Sequence, residues 1–297
     1  MRLKSGISVG KSTLIGGSPR RSSAQMTCVV ELVGVGNELL IGKIANTNAQ
    51  WLAKMVTNLG GDVRRIVDIG DNLDEISGVM REALARSPTW LLVTGGLGPT
   101  FDDMTLEGIA RALEVPLEID EEARRMVKEK YEGYEARTGE KIELTPARLK
   151  MATLPRGAKA LKNPAGTAPS VMLHREATTI VALPGVPIEM QAIFADVLES
   201  LIAKTVGNRY LYSKTLRATG VIESTLAPLI DIVMHNNAGV YIKSHPKEPE
   251  PLPVIEFHLS MSSDLLETSR QKVENAALQL TKLIQENRGK TEEIERG

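Results

Sequence analysis

The sequence predicts a two-domain α/β protein: a larger domain over residues 26–207, built on a mostly parallel sheet with helices on both faces, and a smaller βαββα domain over residues 208–297. Three observations lead there. Short runs rich in Val, Ile and Leu alternate with stretches of helical period at βαβ spacing, and parallel strands need such crossovers. The chain's 297 residues exceed the usual ~150-residue domain. Its apolar content, 42%, is enough to fill two cores.

Residues 1–25 carry Arg2, Lys4, Lys11, Arg20 and Arg21 with no acidic residue and no periodicity, which predicts a disordered basic leader ahead of Met26. Gly10-Lys11-Ser12-Thr13 lacks both the preceding strand and the Gly five positions earlier that a phosphate loop requires. Residues 27–36 then read as a buried strand that ends at Gly34 and Gly36, and Asn46–Leu59 as a helix closed by Gly60-Gly61. Val63–Ile69 is a strand, Leu73–Ala85 a helix, and Trp90–Val93 a strand that runs into Thr94-Gly95-Gly96-Leu97-Gly98. Helices follow over Met104–Leu113 and the charged segment Asp120–Arg137. Strands at Ser170–Leu173 and Thr179–Leu183 lead through Pro184-Gly185-Val186-Pro187 into a helix that ends near Lys204. Gly207 marks the domain boundary. Beyond it come a strand (Tyr210–Ala218), a helix (Glu223–Met234), a strand (Val240–Lys243), a Pro-rich turn, a strand (Val254–Ser260) and a helix to Asn287, with the last ten residues expected to fray.

Composition removes several function classes. Aromatics make up 3% and the formal charge is −1, so neither base stacking nor global attraction to a polyanion is expected, and no nucleic-acid partner is predicted. One cysteine, Cys28, and four histidines leave no disulfide and no Cys/His zinc set. No apolar run reaches the ~20 residues of a membrane helix, and no signal peptide is visible. A cytoplasmic protein without a membrane partner is the expectation.

Polar groups cluster where a doubly wound sheet presents its ligands, beyond the carboxyl ends of strands. Gly36-Asn37-Glu38 is followed by Asn46-Thr47-Asn48 at a helix start, where free N–H groups suit an anion. Asp68 to Asp71 close the second strand. In Thr94 to Thr100, Gly95, Gly96 and Gly98 let the backbone approach a phosphate, Thr94 and Thr100 add hydroxyls, and Asp102, Asp103 and Thr105 follow. Two carboxylates beside such a loop make chemical sense around a divalent cation that neutralises the ligand's charge; the plainer alternative is that one of them caps the next helix. Glu38 has a plain alternative as a solvated loop charge. Pro184 and Gly185 serve equally as site wall or as strand-to-helix punctuation. His174 and His258 read as packing or edge residues. Lys243 and His245, at a strand end of the second domain, could reach over a phosphate.

Taken in order, Gly36-Asn37-Glu38-Leu39-Leu40, Asn46-Thr47-Asn48, Thr94 to Thr100 with Asp102 to Thr105, Asn163-Pro164-Ala165-Gly166-Thr167-Ala168-Pro169, and Leu183-Pro184-Gly185-Val186-Pro187 with Glu189-Met190 resemble the CinA family. The resemblance spans about 150 residues at the family's spacing. It implies a three-layer αβα sandwich of the molybdopterin-binding type and a wider kinship with the MogA and MoaB enzymes that adenylylate molybdopterin. It further implies metal-dependent hydrolysis of ADP-ribose to AMP and ribose 5-phosphate. The family's separate domain that deamidates nicotinamide mononucleotide is expected to be absent, because only ~35 residues follow Met261.

Carried onto this chain, the resemblance implies catalytic Asp71, Asp103 and Asp102, and a divalent ion (Mg²⁺, Mn²⁺ or Co²⁺, with K⁺ as a companion) on Asp103, Asp71 and Glu38. Asn37 stands where many relatives have Asp, which shifts the expectation to Glu38. Ligand contacts are expected from Gly95, Gly96, Gly98, Thr100, Thr47, Asn48, Thr105, Asn163, Gly166, Pro184, Gly185, Lys243 and His245. Two alternatives accompany the hydrolase: a molybdopterin adenylyltransferase or binding protein, and a nucleotide sensor without catalysis. Relatives assemble as homo-oligomers, so at least a dimer is expected.

Overall fold

The computed structural model describes residues 28–247 and 252–294, so the expected basic leader lies outside the described residues. The large domain runs β1 (Val29–Val35), α1 (Asn37–Leu40), α2 (Thr47–Asn58), β2 (Asp62–Ile69), α3 (Leu73–Ala85), β3 (Trp90–Thr94), α4 (Thr105–Leu113), β4 (Leu117–Ile119) and α5 (Glu121–Thr138). It continues with α6 (Pro146–Lys150), β5 (Thr153–Pro155), β6 (Lys159–Leu161), β7 (Ser170–Arg175), β8 (Thr178–Leu183), α7 (Pro187–Ile193), a π turn over Phe194–Leu198, and α8 (Glu199–Val206). Its six-stranded sheet has the order β2-β1-β3-β8-β7-β6. The first four strands are parallel, and β7 runs antiparallel to both of its neighbours, β8 and β6.

Period-two alternation along the central strands explains the three layers. Val33 and Val35 of β1, Leu91 and Val93 of β3, and Ile180 and Ala182 of β8 pack against Ile76, Met80, Leu106, Ile109, Ala123 and Val127 of α3, α4 and α5. Their neighbours Val30, Leu32, Leu92, Val181 and Leu183 face the other way, onto Leu52 and Val56 of α2 and Met190, Phe194 and Ile202 of the last helices. A strand buried on both faces reads as a continuous apolar run. Asn46, Asn72 and Asp120 cap α2, α3 and α5 by accepting backbone N–H bonds, which fixes where each helix leaves the strand before it. Cys28, just ahead of β1, is buried; burial and the charge of Asp62 push its thiol up to about 11.

After Gly207 the small domain runs β9 (Tyr210–Thr219), α9 (Glu223–Asn236), β10 (Tyr241–Pro246), β11 (Val254–Ser263), α10 (Leu266–Glu286) and β12 (Lys290–Ile294). Its antiparallel sheet, β10-β11-β9-β12, packs Leu216, Phe257 and Leu259 against Leu226, Val273 and Leu280 of its two helices. The order is therefore βαββαβ, and the expected fraying of the last ten residues is corrected for Lys290 to Ile294, which pair with Thr219 to Thr215. Charge pairing across strands accounts for the polar strand, since Arg217 meets Glu292 at 3.0 Å and Lys214 meets Glu293 at 2.9 Å. No helix among the described residues is long and apolar enough to cross a membrane.

Candidate functional site

The parallel strands β1, β2, β3 and β8 end on one side of the sheet, and the loops that follow them enclose a cleft of about 530 Å³. That volume suits a nucleotide-sized molecule. Its floor is the loop from Thr94 to Thr100. Gly95 sits at φ 101°, and a Cβ there would overlap the Val35 carbonyl oxygen, so only glycine lets β1 and β3 end this close together. Thr105, expected at the ligand, is instead fully buried: its hydroxyl donates to the Gly95 carbonyl at 2.8 Å and braces the loop from behind. That expectation is corrected, because the hydroxyl on the first residue of α4 faces the loop's backbone and not the cleft.

Neither Asp102 nor Asp103 caps α4, whose first turn has no side-chain cap. Asp103 instead folds back on its own turn and accepts from the Thr100 backbone N–H at 2.8 Å and from the Thr100 hydroxyl at 2.6 Å. The same hydroxyl also meets the Asp102 carboxylate. One hydroxyl has one proton to give, so only one of the two carboxylates receives it. The Thr100 hydroxyl, then the Asp102 backbone N–H and the charge of Lys150, hold the Asp102 carboxyl below the usual range. Lys150, at the end of α6, donates to the Thr100 carbonyl from outside the cleft.

Asp71 and Asn37 hold each other: Asn37 N–H donates to Asp71 Oδ2 at 2.8 Å, and Asp71 N–H to Asn37 Oδ1 at 3.2 Å. The amide at position 37 therefore ties the β1 loop to the end of β2. Glu38 is exposed at the cleft's edge. Among the described residues no three His, Cys, Asp or Glu side chains gather as a ready-made metal cluster, so Asp71, Asp103 and Glu38 line one cleft without forming a closed cage.

Thr47 and Asn48, at the start of α2, line the opposite wall with Pro184 and Gly185. Asn48 Nδ2 donates to the Gly185 carbonyl at 2.7 Å and so joins two loops distant in sequence. Asn163 is 3% exposed and works as a loop anchor: Oδ1 accepts from Ala165 and Gly166 N–H, while Nδ2 donates to the Ala168 carbonyl and to Glu189. Gly166 is packed against the Glu189 carboxylate. Lys243 and His245 lie exposed on β10 and do not line this cleft. Strand end and site are separate here because β10 belongs to a different sheet.

Sequence reasoning passed over two residues, Lys150 and Glu189. The signal for Glu189 was its place four residues after Gly185, on the first turn of a helix that starts at the sheet's carboxyl edge. Lys150 gave none, since α6 is only five residues long. Glu38, Asp71, Asp102, Asp103 and Glu189 give the cleft five carboxylates, and among the described residues no Lys, Arg or His side chain lines it.

Comparison with known proteins agrees with this architecture. The family model described as "Probable molybdopterin binding domain" matches residues 31–204. A protein of Caldivirga maquilingensis is 45% identical over 251 residues, which cover 84% of this chain and 94% of that one. A protein of Pyrobaculum aerophilum is 40% identical over 92% of this chain and 100% of its own length. Among solved structures, the protein CinA "with unknown function" from Thermoplasma acidophilum is similar at 41% identity and a TM-score of 0.53, over 59% of this chain and 98% of that one.

Proposed function

The chain belongs to the family of molybdopterin-binding domains, and from that premise we propose that its cleft binds a phosphorylated pterin and ATP together with a divalent cation and promotes attack by the pterin's phosphate oxygen on the α-phosphorus of ATP, with pyrophosphate as the leaving group. The observation that carries the reading is the union of a glycine-rich floor with five lining carboxylates and, among the described residues, no lining Lys, Arg or His. A phosphate cannot enter such a cleft without compensating positive charge, because like charges at ~4 Å repel by several kcal/mol at a protein surface. Asp102 and Asp103 are the residues that would hold a cation, with Asp71 and Glu38 nearby in the same cleft. Two carboxylates plus phosphate oxygens suit Mg²⁺, which keeps several waters and seldom uses an all-protein cage. When bound, such an ion supplies charge neutralisation and an activated water or phosphate nucleophile.

The chain's own groups do the rest. Backbone N–H groups of Gly96 to Gly98 orient the phosphate, the Thr100 hydroxyl holds the neighbouring carboxylates, and the brace from Thr105 keeps the loop fixed before the ligand arrives. Positioning and charge neutralisation are most of what attack on phosphorus needs. Molybdopterin chemistry takes precedence over ADP-ribose hydrolysis, because the matching family model describes molybdopterin binding and the second domain's Lys243 and His245 stand outside the cleft. The exposure of Asp102 to water keeps hydrolysis of ADP-ribose as the second reading.

Purified protein incubated with ATP and molybdopterin, and separately with ADP-ribose, each with Mg²⁺, Mn²⁺ or Co²⁺ and K⁺, decides between them. Adenylylated pterin is the expected product. AMP from ADP-ribose alone would reverse the order, and no metal-dependent product from either mixture would leave a binding protein.

A further inference from the structure

On the face of the large sheet covered by α8, a second cavity of about 330 Å³ lies between that helix and strands β3, β8 and β7. Strand register sets its floor: Trp90 is paired with Thr179, and Thr179 with His174, so three side chains stand in one row across neighbouring strands. Trp90 opens β3, whose other end carries Thr94 and the glycine-rich loop, so this cavity lies at the opposite edge of the sheet from the cleft and shares no lining residue with it. Leu201 and Lys204 of α8 and Met172 of β7 form the wall.

Two donors here lack acceptors. Trp90 is 4% exposed, and its buried Nε1–H has no hydrogen-bond partner among the described residues. Lys204 has neither an ion pair nor a hydrogen bond among the described residues, and no described carboxylate lines the cavity. The nearby hydroxyls are engaged: Thr205 donates to the Leu201 carbonyl at 2.9 Å, and Thr179 meets His174 Nδ1 at 3.1 Å. A buried N–H without an acceptor is unfavourable, and a charged oxygen is the strongest acceptor a ligand can bring to it. Met172 and Leu201, both partly buried, are the side chains that give way for that oxygen, and their apolar surface suits a hydrocarbon body behind it. We infer that this cavity is a second binding site, for a small organic carboxylate whose oxygens accept from Trp90 Nε1–H and Lys204 Nζ and whose apolar body lies against Met172 and Leu201. The site is independent of the chemistry proposed for the cleft.

The chain's two indole N–H groups, of Trp51 and Trp90, make the test direct. Benzoate titrated into the full ¹⁵N-labelled chain should move the Trp90 indole N–H resonance downfield to saturation and leave that of Trp51 nearly in place, the two being assigned with Trp51→Phe. Benzamide, of the same shape without the charge, should bind at least ~10-fold more weakly, and Lys204→Ala should weaken benzoate by ~10-fold, since each removes the charged half of a contact. Trp90→Phe keeps an aromatic ring but not the donor, and calorimetry should show benzoate weakened by ~10-fold, with circular dichroism verifying the fold. Asp103→Asn should leave benzoate binding unchanged. A Trp90 resonance that stays put, benzamide binding as tightly as benzoate, or full affinity in Lys204→Ala or Trp90→Phe would overturn the second site. So would loss of benzoate binding in Asp103→Asn, which would place the probe in the cleft.

Discussion

Asp103 shows how one side chain can shape a site and still be available to it. An Asn at this position retains an oxygen that can accept from the Thr100 N–H and hydroxyl, so the turn should survive Asp103→Asn. What disappears is the negative charge. If that charge orders a divalent ion, turnover falls by ~100-fold or more with the melting temperature nearly unchanged; product formation and thermal unfolding measured side by side check this, and unchanged turnover would remove Asp103 from the chemistry. Much of the site was legible beforehand because its residues sit in short glycine- and proline-marked turns whose location follows from the strands. Thr105 was misread because helical phase, invisible in a one-residue motif, decides whether a hydroxyl faces ligand or backbone. Glu189 was visible but silent: its meaning depends on Asn163, 26 residues away in sequence.

Among the elements, the packing of β9 against α10 and β12 carries a titratable cluster. Lys214 and Tyr212 both donate to Glu274 at 2.7 Å. Those hydrogen bonds, from Lys214 first and then Tyr212, hold the Glu274 carboxyl below its ordinary 4.5, while partial burial opposes them. A carboxyl lowered in the folded state contributes stability that is complete above its ordinary range and is lost as pH falls through its folded value. Burial disfavours the Lys214 charge, but its bonds to Glu274 and Glu293 outweigh that and raise it, so its share fades only under strongly alkaline conditions. Urea midpoints taken between about pH 7 and pH 3 should therefore fall less steeply for Glu274→Gln than for the parent, by below about 1 kcal/mol because the pair is partly exposed. An identical decline in both proteins would show that the pair contributes nothing. Long periodic elements such as α2, α3, α5 and α10 could be read from the chain. The three-residue strands β4, β5 and β6 could not, since three residues cannot display a period, and β12 was concealed by charges that only the neighbouring strand explains.

For the molecule as a whole, the two cores share no sheet, and α2 against β9 is the main contact between regular elements of the two domains. Both tryptophans, Trp51 and Trp90, belong to the large domain. Phe257 is fully buried at the centre of the small one, and its truncation to Ala should cost about 3–5 kcal/mol there. Denaturation of Phe257→Ala followed by far-ultraviolet circular dichroism should show an early loss of signal, while tryptophan fluorescence keeps the parent midpoint. Coincident shifts of both probes would mean that the domains unfold as one cooperative unit. The chain's single thiol offers a further readout, because Cys28 lies under the start of β1, between β2 and β3 in the large sheet. Buried and protonated well past neutrality, it should ignore alkylating reagents until that strand parts from its neighbours. The rate at which iodoacetamide mass is gained at pH 8 then becomes a clock for opening of the sheet at the start of β1, running without any engineered label; rapid modification of the native protein would mean that this end of the strand opens far more often than its packing implies.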